Sequence, residues 1–218
     1  YDLFSGNVNT ITYQPNEPDK YIHKYIYDKD NRLHEVFTSR DGLNWERDAK
    51  YFYYQHGALA RTELGEKQVS GIDFAYTIHG WLKGVNSDVL DPSADIGKDA
   101  ASGTLYSSQQ SDLHRNFAKD AMGYSLNYYH NNGTGSPDYQ SIYSTSFLSN
   151  KGSLFGSGTF NLNNDAPDLY NGNISSMVTT YMNFDPNSTT ALQAAAPQLT
   201  AYKYDQLHRL TLMQAFRD

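Results

Sequence analysis

The sequence contains no cysteine in 218 residues, which excludes a disulfide framework and any thiolate metal site. Tryptophan and methionine are scarce, with two and four copies. No apolar run approaches the roughly 20 residues that a membrane-spanning helix needs, so no membrane span is predicted. Basic residues are outnumbered by acidic ones, 17 against 24, and the net charge is −7. Nucleic acid, which is a polyanion, is therefore not an expected partner.

Tyrosine, in contrast, occurs 19 times, and glycine occurs 16 times. Tyrosine favours β-strands and combines an apolar ring with a polar tip, which suits the partly solvated face of a large sheet. Glycine, together with the many Asn, Asp and Ser residues, favours turns. This composition predicts an all-β repeat protein.

Two segments of the chain repeat one another. Residues 25–33 read Tyr-Ile-Tyr-Asp-Lys-Asp-Asn-Arg-Leu, and residues 202–210 read Tyr-Lys-Tyr-Asp-Gln-Leu-His-Arg-Leu, with five of nine positions identical. Each segment predicts a strand, a turn in which the Asp side chain accepts backbone N–H groups, and a returning strand. We expect the Arg to pair with a carboxylate or stack on a neighbouring Tyr. A single hairpin is too small to be stable, so the hairpins are expected to stack edge to edge.

Looser copies of the same unit begin at Tyr1, Tyr53, Tyr76 and Tyr170. None of the repeat residues is expected to be catalytic; their predicted role is structural. The full set of repeat-motif residues is Tyr1, Asp2, Gly6, Tyr25, Tyr27, Asp28, Arg32, Leu33, Tyr53, Gly57, Tyr76, Gly80, Trp81, Tyr170, Gly172, Tyr202, Tyr204, Asp205, Arg209 and Leu210.

The repeats are unevenly distributed, which predicts three regions. Residues 1–86 and 169–218 are repeat sheet, and residues 87–168 are a divergent, loop-rich insertion with some strands. Within the insertion, residues 86–112 read as a long loop, 113–122 as a short helix and 124–130 as a strand.

The Tyr-x-Tyr-Asp-x-x-x-Arg-Leu units at 25–33 and 202–210 resemble YD repeats of the Rhs superfamily. Residues 71–86, with the sequence Gly-Ile-Asp-Phe-Ala-Tyr-Thr-Ile-His-Gly-Trp-Leu-Lys-Gly-Val-Asn, resemble a stretch common in Rhs-type proteins of the Bacteroidetes. Residues 170–178 are similar to such proteins as well. The resemblance covers most of the chain and is weakest at about 87–122 and 131–168.

The resemblance implies antiparallel hairpins that form a curved or spiralling sheet, part of a cocoon-like shell. In polymorphic toxins such a shell encloses a C-terminal toxin, and in teneurin-like proteins it belongs to an adhesion module. The implied partners are the remaining repeats of a longer polypeptide, an enclosed cargo segment, secretion machinery and glycans. We expect a secreted or cell-surface bacterial protein, and a chain that is one fragment of a larger shell. Neither Asp91-Pro92 nor Asp185-Pro186 continues as the Asp-Pro-x-Gly junction of the family, so no cleavage residues are assigned.

Several residues offer metal-binding chemistry. Asp88, Asp91, Asp95 and Asp99 are acidic neighbours, but counting from Asp91 puts Gly97 seventh and Ser102 twelfth, which breaks the calcium-loop pattern. We interpret the group as a solvated acidic loop and assign no metal and no cofactor. Asp28, Asp30 and Asn31 also have calcium-like spacing, which the repeat turn explains better.

The leading hypothesis is therefore a non-enzymatic shell segment that encloses a toxin or another cargo polypeptide. The alternative is a surface adhesin or carbohydrate-binding module, in which Tyr residues, Trp45 and Trp81 would stack on sugars; we expect Tyr ladders and a packed Trp81 instead. A third hypothesis is an enzyme whose site lies in residues 87–168.

Overall fold

A computed structural model describes residues 1–88, 90, 95–100, 114, 116–129, 162–183 and 193–217. Regular structure in these ranges is nearly all β-strand, and every strand pairing is antiparallel, which confirms the predicted fold class. Whether the sheet coils into a shell stays a prediction. Asp91-Pro92 and Asp185-Pro186 lie outside the described residues. None of the helices in the described ranges has the length and apolar character needed to cross a membrane.

The chain forms two compact units, residues 1–72 with 116–118, and residues 73–115 with 119–218. In the first unit, the strands pair in chain order, from β1 through β5. They are β1 (Thr10–Tyr13), β2 (Tyr21–Tyr27), β3 (Leu33–Ser39), β4 (Glu46–Tyr53) and β5 (Leu59–Leu64). Strand β6 (Ser70–Tyr76) contains the division between the units. The division predicted at 86/87 and 168/169 stays a prediction.

The second unit continues the hairpin order. In the described residues its strands are β7 (Leu82–Val85), β8 (Met122–Asn127), β9 (Ser176–Asn183), β10 (Gln193–Ala194), β11 (Gln198–Tyr204) and β12 (Leu210–Arg217), and α1 (Leu162–Asp165) is a helical turn. The pairing order is β6-β7-β8-β9-β11-β12, and β10 pairs with β9.

The helix predicted over 113–122 is wrong where the structure describes that segment. Residues 116–121 contain no helix, and Met122 begins β8. The reason is the alternation of buried and more exposed residues over Met122–Asn127, which has the period of two that suits a strand. The strand predicted over 124–130 is present, shifted toward the N-terminus.

The apolar core of the second unit crosses three strands. Leu199 in β11 lies between Val178 of β9 and Phe216 of β12, and all three are buried. Ala201, two residues along β11, and Ala166 complete this cluster. In the first unit, the described buried apolar side chains are Ala49 and Phe117. Most of its strand residues are half-buried instead, as expected for a Tyr-rich sheet.

Candidate functional site

Four hairpins within the described ranges share one type of turn. The Tyr that ends the first strand pairs with a Leu six residues later, and the register shifts just before that Tyr. The residue four positions after the Tyr has a positive φ, which favours Gly or Asn. The pairs are Tyr27–Leu33, Tyr53–Leu59, Tyr76–Leu82 and Tyr204–Leu210, with left-handed residues Asn31 (φ 65°), Gly57 (φ 96°), Gly80 (φ 81°) and His208 (φ 61°).

The Asp that follows Tyr27 closes the first of these turns. Asp28 Oδ1 accepts the backbone N–H groups of Asp30 and Arg32, both at 2.9 Å. Its Oδ2 accepts Arg32 Nε at 2.8 Å. The Arg32 guanidinium also lies over the Tyr53 ring, 4.5 Å from its centre. These donors, with the backbone N–H of Arg32 first, hold the pKa of Asp28 below its usual range.

The same bonds recur in the last hairpin. Asp205 Oδ1 accepts the N–H groups of Leu207 and Arg209, both at 2.9 Å, and Oδ2 accepts Arg209 Nε at 2.7 Å. The pKa of Asp205 is likewise lowered, chiefly by the backbone N–H of Arg209. At the other two turns the backbone bonds are kept, and in one of them Thr77 Oγ1 replaces the carboxylate as acceptor for Trp81 N, at 3.1 Å. The Asp is thus one way to close a turn whose backbone form is common to all four.

Four tyrosine hydroxyls in the described residues connect one hairpin to an earlier one. Tyr53 Oη donates to the Leu33 carbonyl at 2.6 Å, and Leu33 is the first residue after the preceding turn. Burial raises the pKa of Tyr53, as expected for a phenol withdrawn from water. The equivalent bonds are Tyr27 to Val8 (3.1 Å), Tyr128 to Leu82 (2.8 Å) and Tyr204 to Ile174 (3.0 Å). The repeat residues Tyr27, Tyr53 and Tyr204 therefore serve as hydrogen-bonded staples between hairpins, as does Tyr128, which the repeat motif did not include. Spacing alone did not reveal this role.

The degenerate repeat positions are more varied. Tyr1 and Tyr170 are largely exposed, and Tyr170 stacks on Tyr129 with ring centres 4.8 Å apart. Asp2 Oδ1 accepts the N–H groups of Phe4 and Ser5, so its carboxylate also closes a turn. Gly172 has φ 87°, and a Cβ there would lie 3.2 Å from the Trp81 ring.

Both tryptophans are half-buried. The Trp81 ring lies 5.0 Å from that of Tyr128 and 5.1 Å from that of His79. Trp45 donates from Nε1 to the Gly42 carbonyl at 3.2 Å, and Lys24 Nζ lies over its ring at 5.4 Å. Their rings are therefore engaged by neighbouring side chains of the chain itself.

The second unit contains a cluster of buried carboxylates, which we call the acidic cluster: Asp73, Asp95, Asp99 and Asp120. Their exposed fractions are 3%, 3%, 2% and 7%. One carboxylate oxygen from each of Asp73, Asp95 and Asp99 lies within 4.8 Å of the other two. Burial, and then the charges of Asp95, Asp99 and Asp73, raise the pKa of Asp120 to about 9.

Asn86 fixes the position of this cluster. It follows β7 with φ 53°, is buried, and accepts the Asp73 N–H on Oδ1 at 2.8 Å. Its own N–H donates to the Asp73 carbonyl at 2.9 Å, and Nδ2 donates to the Met122 carbonyl at 2.9 Å. Because Met122 follows Asp120 closely in the chain, Asn86 ties Asp73 on β6 and the segment that carries Asp120 to one frame. Asp95 Oδ2 accepts the Asp99 N–H at 3.0 Å, and this bond fixes the conformation of the loop that carries the other two members of the cluster.

The interpretation of the acidic residues as a solvated loop is wrong for Asp88, Asp95 and Asp99, which are nearly inaccessible. Asp88 is not a member of the acidic cluster, because its Oδ2 accepts a hydrogen bond from Ser125 Oγ at 2.6 Å. Burial raises the pKa of Asp88. Asp91 lies outside the described residues. The linear motif failed to detect the cluster because Asp73 and Asp120 come from distant positions in the sequence that only the sheet brings to the loop. The predicted turn at Asp28, Asp30 and Asn31 is present.

No protein-family model matches the chain, and no curated protein matches it. Among solved structures, a chain in the crystal structure of TcdB2-TccC3-Cdc42 is similar at 12% sequence identity with a TM-score of 0.35. That match covers 91% of this chain and 8% of the other.

Proposed function

We propose that this chain is a non-enzymatic structural segment of an Rhs-type YD-repeat shell that encloses a C-terminal toxin or other cargo polypeptide. The observation that supports the proposal is the recurrence of one turn and one tyrosine staple in successive hairpins. The staples run from Tyr27, Tyr53, Tyr128 and Tyr204 to carbonyls that follow an earlier turn. A wall built of such units gains one inter-hairpin hydrogen bond per repeat in addition to its strand ladder.

The chemistry of the wall suits containment. Tyrosine presents an apolar ring with a polar tip, so a Tyr-rich surface accommodates both apolar and polar segments of an enclosed chain. Half-buried residues dominate β2 and β4, which supports a partly solvated, Tyr-rich surface on these strands. The proposed setting is a secreted or cell-surface bacterial protein whose further repeats complete the shell.

The test is protease protection in the full-length natural polypeptide. We expect limited proteolysis to spare both the repeat region and a segment downstream of it, and we expect Tyr53→Phe combined with Tyr204→Phe to hasten cleavage of the enclosed segment. The gene is expected to encode a variable domain after an Asp-Pro-x-Gly junction. If the repeat region is followed by no such domain, or if the downstream segment is cut as fast as a free peptide, the proposal fails.

A glycan array separates this proposal from the adhesin hypothesis. Specific glycan binding that is lost on Trp45→Ala, with no protected segment in the full-length protein, would favour a carbohydrate-binding module.

A further inference from the structure

The carboxylates of the acidic cluster do not belong to the repeat turns. The repeat turns are closed by Asp28 and Asp205 at the hairpin tips, whereas Asp73 lies within β6 and Asp95 and Asp99 lie in the loop after β7. Oxygens of the latter three converge within 4.8 Å of one another while being at most 3% exposed. Like charges brought together away from water are unfavourable unless a proton or a cation compensates them.

The Asp95 carboxylate gives separate evidence for a ligand in the acidic cluster. Its side chain is 3% exposed, Oδ2 accepts the Asp99 N–H, and Oδ1 is buried with no hydrogen-bond donor among the described residues. A buried carboxylate oxygen without a donor is rare in folded proteins, and it calls for an explanation such as an ion. A cation would partner this oxygen and offset the charges of the three converging carboxylates together, which a single proton shared between two of them does not.

The all-carboxylate composition of the cluster favours one kind of cation. Calcium binds six to eight oxygens at 2.3–2.6 Å, so two oxygens on one ion lie at most about 5 Å apart. The 4.8 Å limit on the Asp73, Asp95 and Asp99 oxygens is consistent with that span. Magnesium keeps several waters and prefers one or two carboxylates, which suits a buried, carboxylate-rich cluster less well. Zinc prefers nitrogen and sulfur ligands, and the chain has no cysteine.

We propose that Asp73, Asp95 and Asp99 bind one calcium-type divalent cation, with Asp120 as a fourth carboxylate at the site. The ion ties the loop of residues 95–100 to β6 and to the segment that leads into β8. Asn86 is a positioning residue, because it holds Asp73 and the start of β8 through three hydrogen bonds. The site does not depend on the proposed shell function.

The experiment is a calcium titration of the whole chain after treatment with a chelator. Isothermal calorimetry is expected to give one site per chain. In thermal unfolding, calcium at a hundredfold excess over its dissociation constant is expected to raise the midpoint by about 5–10 °C, and a chelator should reverse the shift. Magnesium at the same concentration is expected to give a smaller shift. A wild-type chain with no calcium heat and no midpoint shift at about 1 mM calcium, the weak end for extracellular modules, overturns the proposal.

Variants locate the ion. Asp95→Asn is expected to lower calcium affinity at least tenfold while leaving the midpoint in chelator equal to or above that of the wild type, because it removes one of several like charges. Asp30→Asn, which makes the same charge change at an exposed turn residue, should leave the calcium response unchanged. If Asp95→Asn does not fold, Asp99→Asn serves the same test, since Asp99 contributes another of the converging oxygens. Retention of full calcium affinity by a folded cluster variant would overturn the assignment.

Discussion

Aspartate serves two opposite purposes in this protein. At the hairpin tips, the carboxylates of Asp28 and Asp205 receive backbone N–H groups and an Arg side chain, and their pKa values are lowered. In the acidic cluster, Asp120 is buried among other carboxylates and its pKa is raised. The residue type is the same, and the difference lies in what surrounds it. A turn supplies its own donors locally, whereas the cluster depends on a proton or an ion from outside the chain.

The largest loss of stability is expected where β8 packs against the segment after β7, next to the acidic cluster. A Cβ at Gly123 would lie 1.9 Å from the Ser87 carbonyl oxygen and 2.7 Å from its carbon, so β8 and the segment after β7 would have to separate. We expect Gly123→Ala to destabilise the protein by about 3 kcal/mol or more, at the upper end for overpacking. Urea denaturation measures the change.

Gly57→Ala is the matched control for that substitution. Gly57 has φ 96° and nothing within 4 Å of its would-be Cβ, so only left-handed strain remains. The expected cost is about 1–2 kcal/mol. Equal losses from the two substitutions would contradict the close approach of β8 to Ser87.

Asn86 offers the next largest effect. Asn86→Ala removes the acceptor of the Asp73 N–H, in a buried bond, and the donor to the Met122 carbonyl, in a partly buried one. We expect a loss of about 2–3 kcal/mol, since both partners are left unsatisfied. Denaturation at fixed calcium and in chelator would measure it, and the loss should be greater with calcium because the ligands are displaced. A loss of equal size in both conditions would show that Asn86 does not position the ion site.

The tyrosine staple is expected to have a moderate effect. Tyr53→Phe removes the hydroxyl that donates to Leu33 and keeps the ring, and we expect a loss of about 1 kcal/mol in denaturant unfolding. Tyr181→Phe changes a residue that is 53% exposed and should alter stability by less than about 0.5 kcal/mol. If the two variants behave alike, the staple is not a source of repeat stability.

The smallest expected effect is on the stability of the protein at low pH. Because the folded-state pKa values of Asp28 and Asp205 are lowered, their contribution to stability is fully present above the unfolded value of about 3.9 and is lost as the pH falls through the folded values. Asp205→Asn should therefore reduce stability at neutral pH and flatten its decline below about pH 4. Denaturation at a series of pH values tests this. An unchanged acid slope in the variant would show that the Asp205 carboxylate does not contribute.

The hairpin class and the turns were accessible from sequence because they are local. Tyr27, Asp28, Arg32 and Leu33 lie within seven positions of each other, so a single repeat contains all the atoms of the turn. The helix expected over 113–122 failed because pairing of β8 with β7 and β9 outweighed local propensity. The staple from Tyr53 to Leu33 was missed because it joins different hairpins.

By itself, the sequence determined the all-β class, the hairpin turns and the side chains that close them, since each depends on residues a few positions apart. Only the tertiary structure decided the environment of the other aspartates. Whether Asp95 meets water or other carboxylates depends on β6 and β8 approaching the same loop, and burial is a property of that packing. Aspartates at the turns therefore meet hydrogen-bond donors, and those in the cluster meet other carboxylates. This difference follows from the packing, and the identity of the residue alone does not predict it.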